Sequence, residues 1–210
     1  MNPATKIATS VFTIGGASAA GGYAWHISQL SKLSSLIETD EEVTQLTKNS
    51  SAEDWKEAWT AYKASGNDWK LSDTSPSEAP EAFKSECLKR GEEKVKGTDN
   101  IEFQNFKKWC SRNYTVSEWL SKSGLSLLNE QSSSEKWNSA WEKYRDELKK
   151  KTSNNAIPDT DSIWTVKDWA SHKNNSTVSA GFKEKCSEKS KLKIKNRKDV
   201  TYAQVSSWCT

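Results

Sequence analysis

Aromatic residues recur along this chain at the spacing of an α-helix. Trp55, Trp59 and Tyr62 occupy positions i, i+4 and i+7, which share one helical face. The same pattern, WxxAWxxY, returns at residues 137–144. The positions between the aromatics are mostly polar, and no segment shows the sustained alternation that is typical of a β-strand. We therefore predict an all-α fold built from amphipathic helices.

The repeat extends to the four cysteines. The motif FKxxC ends at Cys87 and again at Cys186, and a Trp-Cys pair follows at Cys110 and again at Cys209. Both intervals are 23 residues long, and the flanking aromatics place each cysteine on the apolar face of a helix. Two neighbouring helices can satisfy disulfide geometry, so we predict the bridges Cys87–Cys110 and Cys186–Cys209 and an oxidising location. Four reduced, buried thiols are the alternative.

The two copies differ in one connection. The cysteine stretches are 99 residues apart, whereas the WxxAWxxY stretches are 82 apart. The second copy therefore has a longer segment at 145–162, which we interpret as a polar loop with one more helical turn after Tyr144. Between the cysteines, Gly97 corresponds to Asn196, and both residue types tolerate a left-handed turn.

A second short motif marks helix starts. A Ser or Thr is followed three residues later by an acid and then by Trp, which is the capping-box pattern. It occurs four times, at 51–55, 65–69, 115–119 and 165–169. We expect a helix to begin at each of them.

The N-terminal segment 7–25 has no charged residue and follows Lys6. About 19 residues can cross roughly 30 Å of hydrocarbon, and the preceding positive charge predicts that the rest of the chain is exported. We expect a transmembrane anchor, with weak self-association through its small residues as an additional option. A cleaved signal peptide ending near Ala19 is the alternative. The expected domains are an anchor (1–28), a helical linker (29–50), repeat 1 (51–120) and repeat 2 (121–210).

Charge and aromatic content suggest where a partner could bind. The formal net charge of +3 is too small to indicate a nucleic-acid partner. The most basic stretch, 189–198, could contact sulfated glycans or acidic lipids, although a solvated loop is the simpler interpretation. Two Trp residues lie outside the repeated faces, while the others have the spacing of core residues. The candidate contact residues are Trp119, Trp164, Lys191, Lys193, Lys195 and Arg197.

No catalytic, metal or cofactor motif stands out. Two cysteines never lie within four residues of each other, and His26 and His172 are the only histidines, so a zinc site is not favoured. A phosphate-binding glycine loop and a Gly-x-Ser-x-Gly elbow are missing from the sequence. We therefore expect a non-enzymatic surface protein without cofactors, serving as an interaction or antigenic scaffold. The alternative is an extracellular module that binds a glycan or an acidic surface through exposed Trp residues and the basic run.

The FKxxC and Trp-Cys elements, the Trp-rich helices and the small-residue N-terminal segment resemble the paralogous, uncharacterised surface proteins of haemotropic mycoplasmas. The resemblance extends over the whole chain in composition and rests specifically on those motifs. It implies surface exposure and antigenic variation. The partner that we expect is a host-cell or other extracellular surface component. It implies no activity and no catalytic residue.

Overall fold

The computed structural model describes residues 30–210, which are mostly helical. Within that range, the helices are α1 (Leu33–Glu38), α2 (Ala52–Lys63), α3 (Glu81–Arg90), α4 (Ile101–Cys110), α5 (Val116–Lys122), α6 (Ser134–Lys149), α7 (Trp169–His172), α8 (Ala180–Ser190) and α9 (Val200–Trp208). The strands are β1 (Ser31–Lys32), β2 (Val43–Gln45), β3 (Lys94–Val95) and β4 (Ser111–Asn113). The helical prediction is confirmed, but the strands correct its all-α form. They pair antiparallel as β1–β3 and β2–β4, and each is too short to show alternation in the sequence.

The buried side chains form two separate clusters. One contains buried residues from Leu33 to Cys110, and the other contains buried residues from Val116 to Cys209. We call residues 30–113 unit one and residues 114–210 unit two. The boundaries expected at residues 51 and 121 are therefore wrong. The supposed linker 29–50 supplies α1 and β2 to unit one, and α5 packs against α8 and α9 in unit two.

The two units share a backbone framework that the sequence pattern did not indicate. The Leu33 amide donates a 2.9 Å hydrogen bond to the Glu93 carbonyl, just before β3. In unit two the Val116 amide donates a 2.9 Å bond to the Leu192 carbonyl. Each bond joins the start of the unit's first helix to the turn between its disulfide-linked helices. Helices α1 and α5 are thus equivalent, and the repeat begins earlier than the WxxAWxxY motif.

A second pair of bonds fixes the end of each unit. The Leu46 amide donates to the Cys110 carbonyl over 2.8 Å, and the Leu128 amide donates to the Cys209 carbonyl over the same distance. The segment before the long aromatic helix is thereby tied to the last cysteine in both units. This arrangement joins the beginning and the end of each unit around its core.

Both predicted disulfides are present. Cys87 is bonded to Cys110, and Cys186 is bonded to Cys209, with Cα–Cα distances of 5.5 and 5.8 Å. All four cysteines are buried. Each bridge joins the helix that carries the FKxxC motif to the C-terminal end of the last helix in its unit, so the 23-residue loop closes over the aromatic core.

A tyrosine lies at the centre of each core. The Tyr62 ring lies 5.2 Å from the Phe83 ring and 5.3 Å from the Trp109 ring, measured between centroids. In unit two the Tyr144 ring lies 5.1 Å from both Phe182 and Trp208. Aromatic pairs at these separations stabilise a core beyond the area they bury. The aromatic clusters therefore take the place of the aliphatic side chains that this sequence lacks.

Two of the four predicted helix starts are confirmed. Ser51 and Thr115 form complete capping boxes at the beginning of α2 and α5. The segments 65–69 and 165–169 do not begin helices in this way. Ser65 instead donates its hydroxyl to the Tyr62 carbonyl as α2 ends, and Thr165 has a φ of 55°, outside the extended conformation of an N-cap residue.

The longer connection in unit two begins with extra helix, as predicted. Helix α6 continues to Lys149, whereas α2 ends at Lys63, one residue after its tyrosine. The additional turn buries Leu148 completely. The turn predicted around Asn196 is present, and the Asp199 amide donates to the Asn196 carbonyl over 3.2 Å, but Asn196 does not share the positive φ of Gly97, which is 73°.

The predicted membrane anchor lies outside the described residues. Among residues 30–210, no helix combines the length and the apolar character needed to cross a membrane.

Candidate functional site

The basic run between α8 and α9 lies partly against unit one. Lys193 donates to Asp54 Oδ1 at 2.5 Å and to Glu57 Oε2 at 2.7 Å. Lys195 points toward Glu42 Oε1 at 3.8 Å. Lys191 is exposed on the surface. The four predicted contact cations therefore do not form one patch, because two of them face carboxylates of the other unit.

The fourth cation, Arg197, covers an aromatic ring. Its guanidinium carbon lies 5.5 Å from the centre of the Trp119 ring, and the Lys122 ammonium lies 5.6 Å from the same ring. A cation at this distance is attracted by the negative face of an indole. Arg197 therefore lies over Trp119 while its side chain stays exposed to solvent.

Trp119 and Trp164 were expected to expose their rings to a partner, and this placement is wrong. Each is only 4% exposed. The Trp164 ring stacks on Phe182 at 5.9 Å, just as the Trp69 ring stacks on Phe83 at 5.9 Å. Trp164 is thus the unit-two equivalent of Trp69. The equivalence is not visible in the sequence, because the connection from Tyr62 to Trp69 is shorter than the connection from Tyr144 to Trp164.

Four side chains form an ion-pair cluster at the junction between the units, which we call the junction network: Asp54, Arg112, Glu118 and Lys193. Arg112 donates to both oxygens of Glu118, over 2.9 and 2.8 Å. Its Nε lies 3.3 Å from Asp54 Oδ2, and Lys193 binds the other oxygen of Asp54. Asp54 belongs to α2, Arg112 to β4, Glu118 to α5 and Lys193 to the connection between α8 and α9, so the network joins four parts of the chain.

The junction network shifts the acidities of its members. Burial raises the pKa of Asp54, but hydrogen bonds from Lys193 and Ser51 and the charge of Arg112 outweigh it, so that pKa lies below its usual 3.8. Burial also raises the pKa of Glu118, while bonds from Arg112 and the Thr115 amide bring it below 4.5. Both carboxylates are therefore held in their charged forms.

Asp54 has two structural roles, of which the sequence indicates only one. Its position in the capping box predicts that it binds the Ser51 amide, and the structure contains that bond at 3.4 Å. The same carboxylate also binds Lys193 of unit two, 139 positions later in the chain. No local pattern signals a contact over that separation.

A cavity of about 470 Å³ lies beside the junction network. Lys107 and Lys108 of α4 line it on one side, and Lys195 of unit two lines it on another. Side-chain amides from Gln104 and Asn113 add neutral hydrogen-bonding groups. Glu42 is the acidic residue of this lining, so the walls carry three cationic side chains and one anionic side chain.

Glu42 lies between two of these lysines without close contact to either. Its carboxylate is 3.8 Å from the Lys107 ammonium and 3.8 Å from the Lys195 ammonium. A charge-assisted hydrogen bond would be about 2.7–2.9 Å long. Lys107 makes its short contact elsewhere, with Asp40 at 2.6 Å. Among the described residues, no carboxylate forms an ion pair with Lys108.

A second cavity of about 330 Å³ continues along the junction. It shares Lys108, Ser111 and Asn113 with the first and extends to Asp54 and Lys193. The two cavities form one groove between the units, which we call the junction groove. The junction groove was not predicted from the sequence, because the lysines of α4 have the pattern of a helix face that contacts solvent.

His172 has an ordinary surface environment, with its Nδ1 3.6 Å from Asp168 Oδ2. Residues 30–210 contain no group of three or more His, Cys, Asp or Glu side chains arranged to hold a metal ion.

Comparison with known proteins does not assign the chain to a family. No protein-family model matches it, and neither does a curated protein or a solved structure.

Proposed function

We propose that this protein is an exported, non-enzymatic surface scaffold that presents two disulfide-closed helical units to partners outside the cytoplasm. The observation that carries the proposal is the pair of intra-unit bridges, Cys87–Cys110 and Cys186–Cys209, which close buried cores in both units. Disulfides of this structural kind persist in oxidising compartments and are rare in the cytosol. Export by an N-terminal anchor within residues 7–25 is part of the proposal.

The surface of the units supports an interaction role. It is rich in Lys, Glu, Ser and Asn, while the aromatic residues that maintain the fold are inside. Surface positions can therefore change without loss of the two cores, a property that suits an antigenic or partner-binding scaffold. Rigid units joined by the junction network would present such a surface in a fixed geometry.

The experiment is labelling of intact cells that express the full chain. A membrane-impermeant amine reagent should modify exposed lysines such as Lys191, and added protease should digest residues beyond 30. A cytoplasmic protein of the same cells is the control and should stay unlabelled. Labelling of this chain only after lysis would overturn the proposal.

A further inference from the structure

We propose that the junction groove is a binding site for an acidic saccharide, meaning a sugar chain that carries sulfate or carboxylate groups. The inference deepens the proposed scaffold function by naming a site and a ligand class. The site is the cavity lined by Lys107, Lys108, Lys195, Glu42 and Asn113. It differs from the basic run of the sequence, from which only Lys195 contributes to this cavity.

Charge gives the first argument. Three ammonium groups and one carboxylate line a cavity of about 470 Å³, a volume within the range of ligand sites in proteins. Lysines that converge on a concave surface raise the local concentration of anions. Because Lys108 has no carboxylate partner among the described residues, its charge is available to a ligand.

The position of Glu42 gives the second argument. Its carboxylate lies 3.8 Å from two lysines that belong to different units, too far for a hydrogen bond to either. The carboxylate thus occupies a position at which an external sulfate or carboxylate would be attracted by both the Lys107 and the Lys195 ammonium groups. The Glu42 side chain is 38% exposed, so the space between the two lysines is open to solvent.

The neutral groups give the third argument and favour a sugar over a bare anion. Gln104, Asn105 and Asn113 provide amide donors and acceptors, and Ser111 provides a hydroxyl group. Sugar hydroxyls both donate and accept hydrogen bonds, whereas an isolated sulfate ion only accepts them. The adjoining cavity of about 330 Å³ extends the groove beyond one ring, which suits a chain of sugars.

The site depends on the docking of the two units. Lys107 and Lys108 belong to α4 of unit one, whereas Lys195 belongs to unit two. Positions 206 and 207, which correspond to these two lysines in unit two, are both serine. The groove is therefore a product of the junction and has no second copy elsewhere in the repeat.

The test is calorimetric titration of the purified, oxidised full chain at about 0.15 M salt, where diffuse surface attraction is screened. The probe is a sulfated heparin tetrasaccharide, compared with its desulfated, N-acetylated counterpart. Inorganic sulfate and vesicles of phosphatidylcholine with phosphatidylglycerol are the two other arms. We expect saturable binding of the sulfated tetrasaccharide, with at least about tenfold weaker binding of the other probes.

Variants with equal charge changes locate the site. The double substitution Lys108→Gln and Lys195→Gln should weaken the binding of the tetrasaccharide about tenfold. The matched control, Lys191→Gln with Lys198→Gln, removes the same charge from exposed positions outside the groove and should change it less than about twofold. Glu42→Gln should strengthen binding by about threefold or more, whereas Glu53→Gln on the exposed face of α2 should not.

Three results would overturn the inference. One is equal weakening by the two double substitutions, which would indicate diffuse attraction. Another is binding of sulfate or vesicles as tight as that of the tetrasaccharide. The third is no binding of any sulfated probe. Because the measurement uses purified protein, it is independent of where the cell places the chain, which the labelling of intact cells decides.

Discussion

The Tyr144 hydroxyl donates a 2.5 Å hydrogen bond to Asp161 Oδ2 inside unit two. In unit one, the equivalent Tyr62 hydroxyl donates to Asn67 Oδ1 at 2.6 Å. Both contacts hold the loop after the aromatic helix, but only unit two uses a carboxylate. Burial and the Asp161 charge raise the pKa of Tyr144 above its usual value, so its hydroxyl stays protonated and donates.

Asp161→Asn tests the role of this carboxylate. Asp161 also accepts hydrogen bonds from three backbone amides, those of Ile163, Trp164 and Val166. An asparagine has one acceptor oxygen, so its amide nitrogen would face a backbone donor and leave it unsatisfied. We expect the free energy of unfolding in urea to fall by about 1–3 kcal/mol.

The matched control is Asp159→Asn. The Asp159 side chain is 98% exposed and pairs with Lys173 at the surface. This substitution should change the free energy of unfolding by less than about 0.5 kcal/mol. Equal stability of the Asp161 variant and the wild-type chain would refute a structural role for the buried carboxylate.

The two disulfides should contribute equally to stability. Removing either by paired Cys→Ala substitutions opens a 23-residue loop in the unfolded chain. We expect each pair to lower the free energy of unfolding by about 3 kcal/mol in the chain-entropy model. Peptide mapping without reduction should recover only the fragments Cys87–Cys110 and Cys186–Cys209. A Cys87–Cys186 fragment would contradict the unit-by-unit pairing.

Asp54→Asn should make the stability of the chain less sensitive to acid. The folded pKa of Asp54 lies below 3.8, so its stabilising effect is complete above that pH. It is lost as the pH falls through the lowered folded value, when protonation weakens the contacts with Lys193 and Arg112. At pH 7 the substitution should cost about 1–3 kcal/mol, and this cost should shrink below pH 4.

Urea titrations from pH 7 to pH 3 measure this difference. Glu53→Gln, at the neighbouring exposed position of α2, is the charge-matched control and should change the free energy of unfolding at pH 7 by less than about 0.5 kcal/mol. If Asp54→Asn and the wild-type chain lose stability in parallel through this range, the charged form of Asp54 does not stabilise the junction.

The two Thr residues of the capping motifs should respond in opposite ways. Thr115 caps α5, so Thr115→Ala should lower the free energy of unfolding by about 1 kcal/mol. Thr165 has a φ of 55°, which is unfavourable for a β-branched residue and ordinary for glycine. Thr165→Gly should therefore raise stability by about 0.5–1 kcal/mol. A loss of stability on Thr165→Gly in the same urea titration would contradict this account of the turn.

The sequence by itself determined the helical faces, the aromatic cores and the disulfide pairing. These features depend on short separations: Trp59 and Tyr62 are three residues apart, and each cysteine lies within four residues of a matched aromatic. The local rules of helix periodicity and capping therefore predicted α2 and α5. The same rules failed at Thr165, because a capping pattern specifies residue types and leaves the backbone conformation to the surrounding packing.

Only the tertiary structure decided where the units end and what lies between them. The bond between the Leu33 amide and Glu93, and the ion pair between Asp54 and Lys193, join residues far apart in the chain. Surface lysines such as Lys107 and Lys195 have the same appearance in a sequence whether they face solvent or a groove. Their convergence depends on how two folded units dock, which is a property of three-dimensional packing and not of local residue patterns.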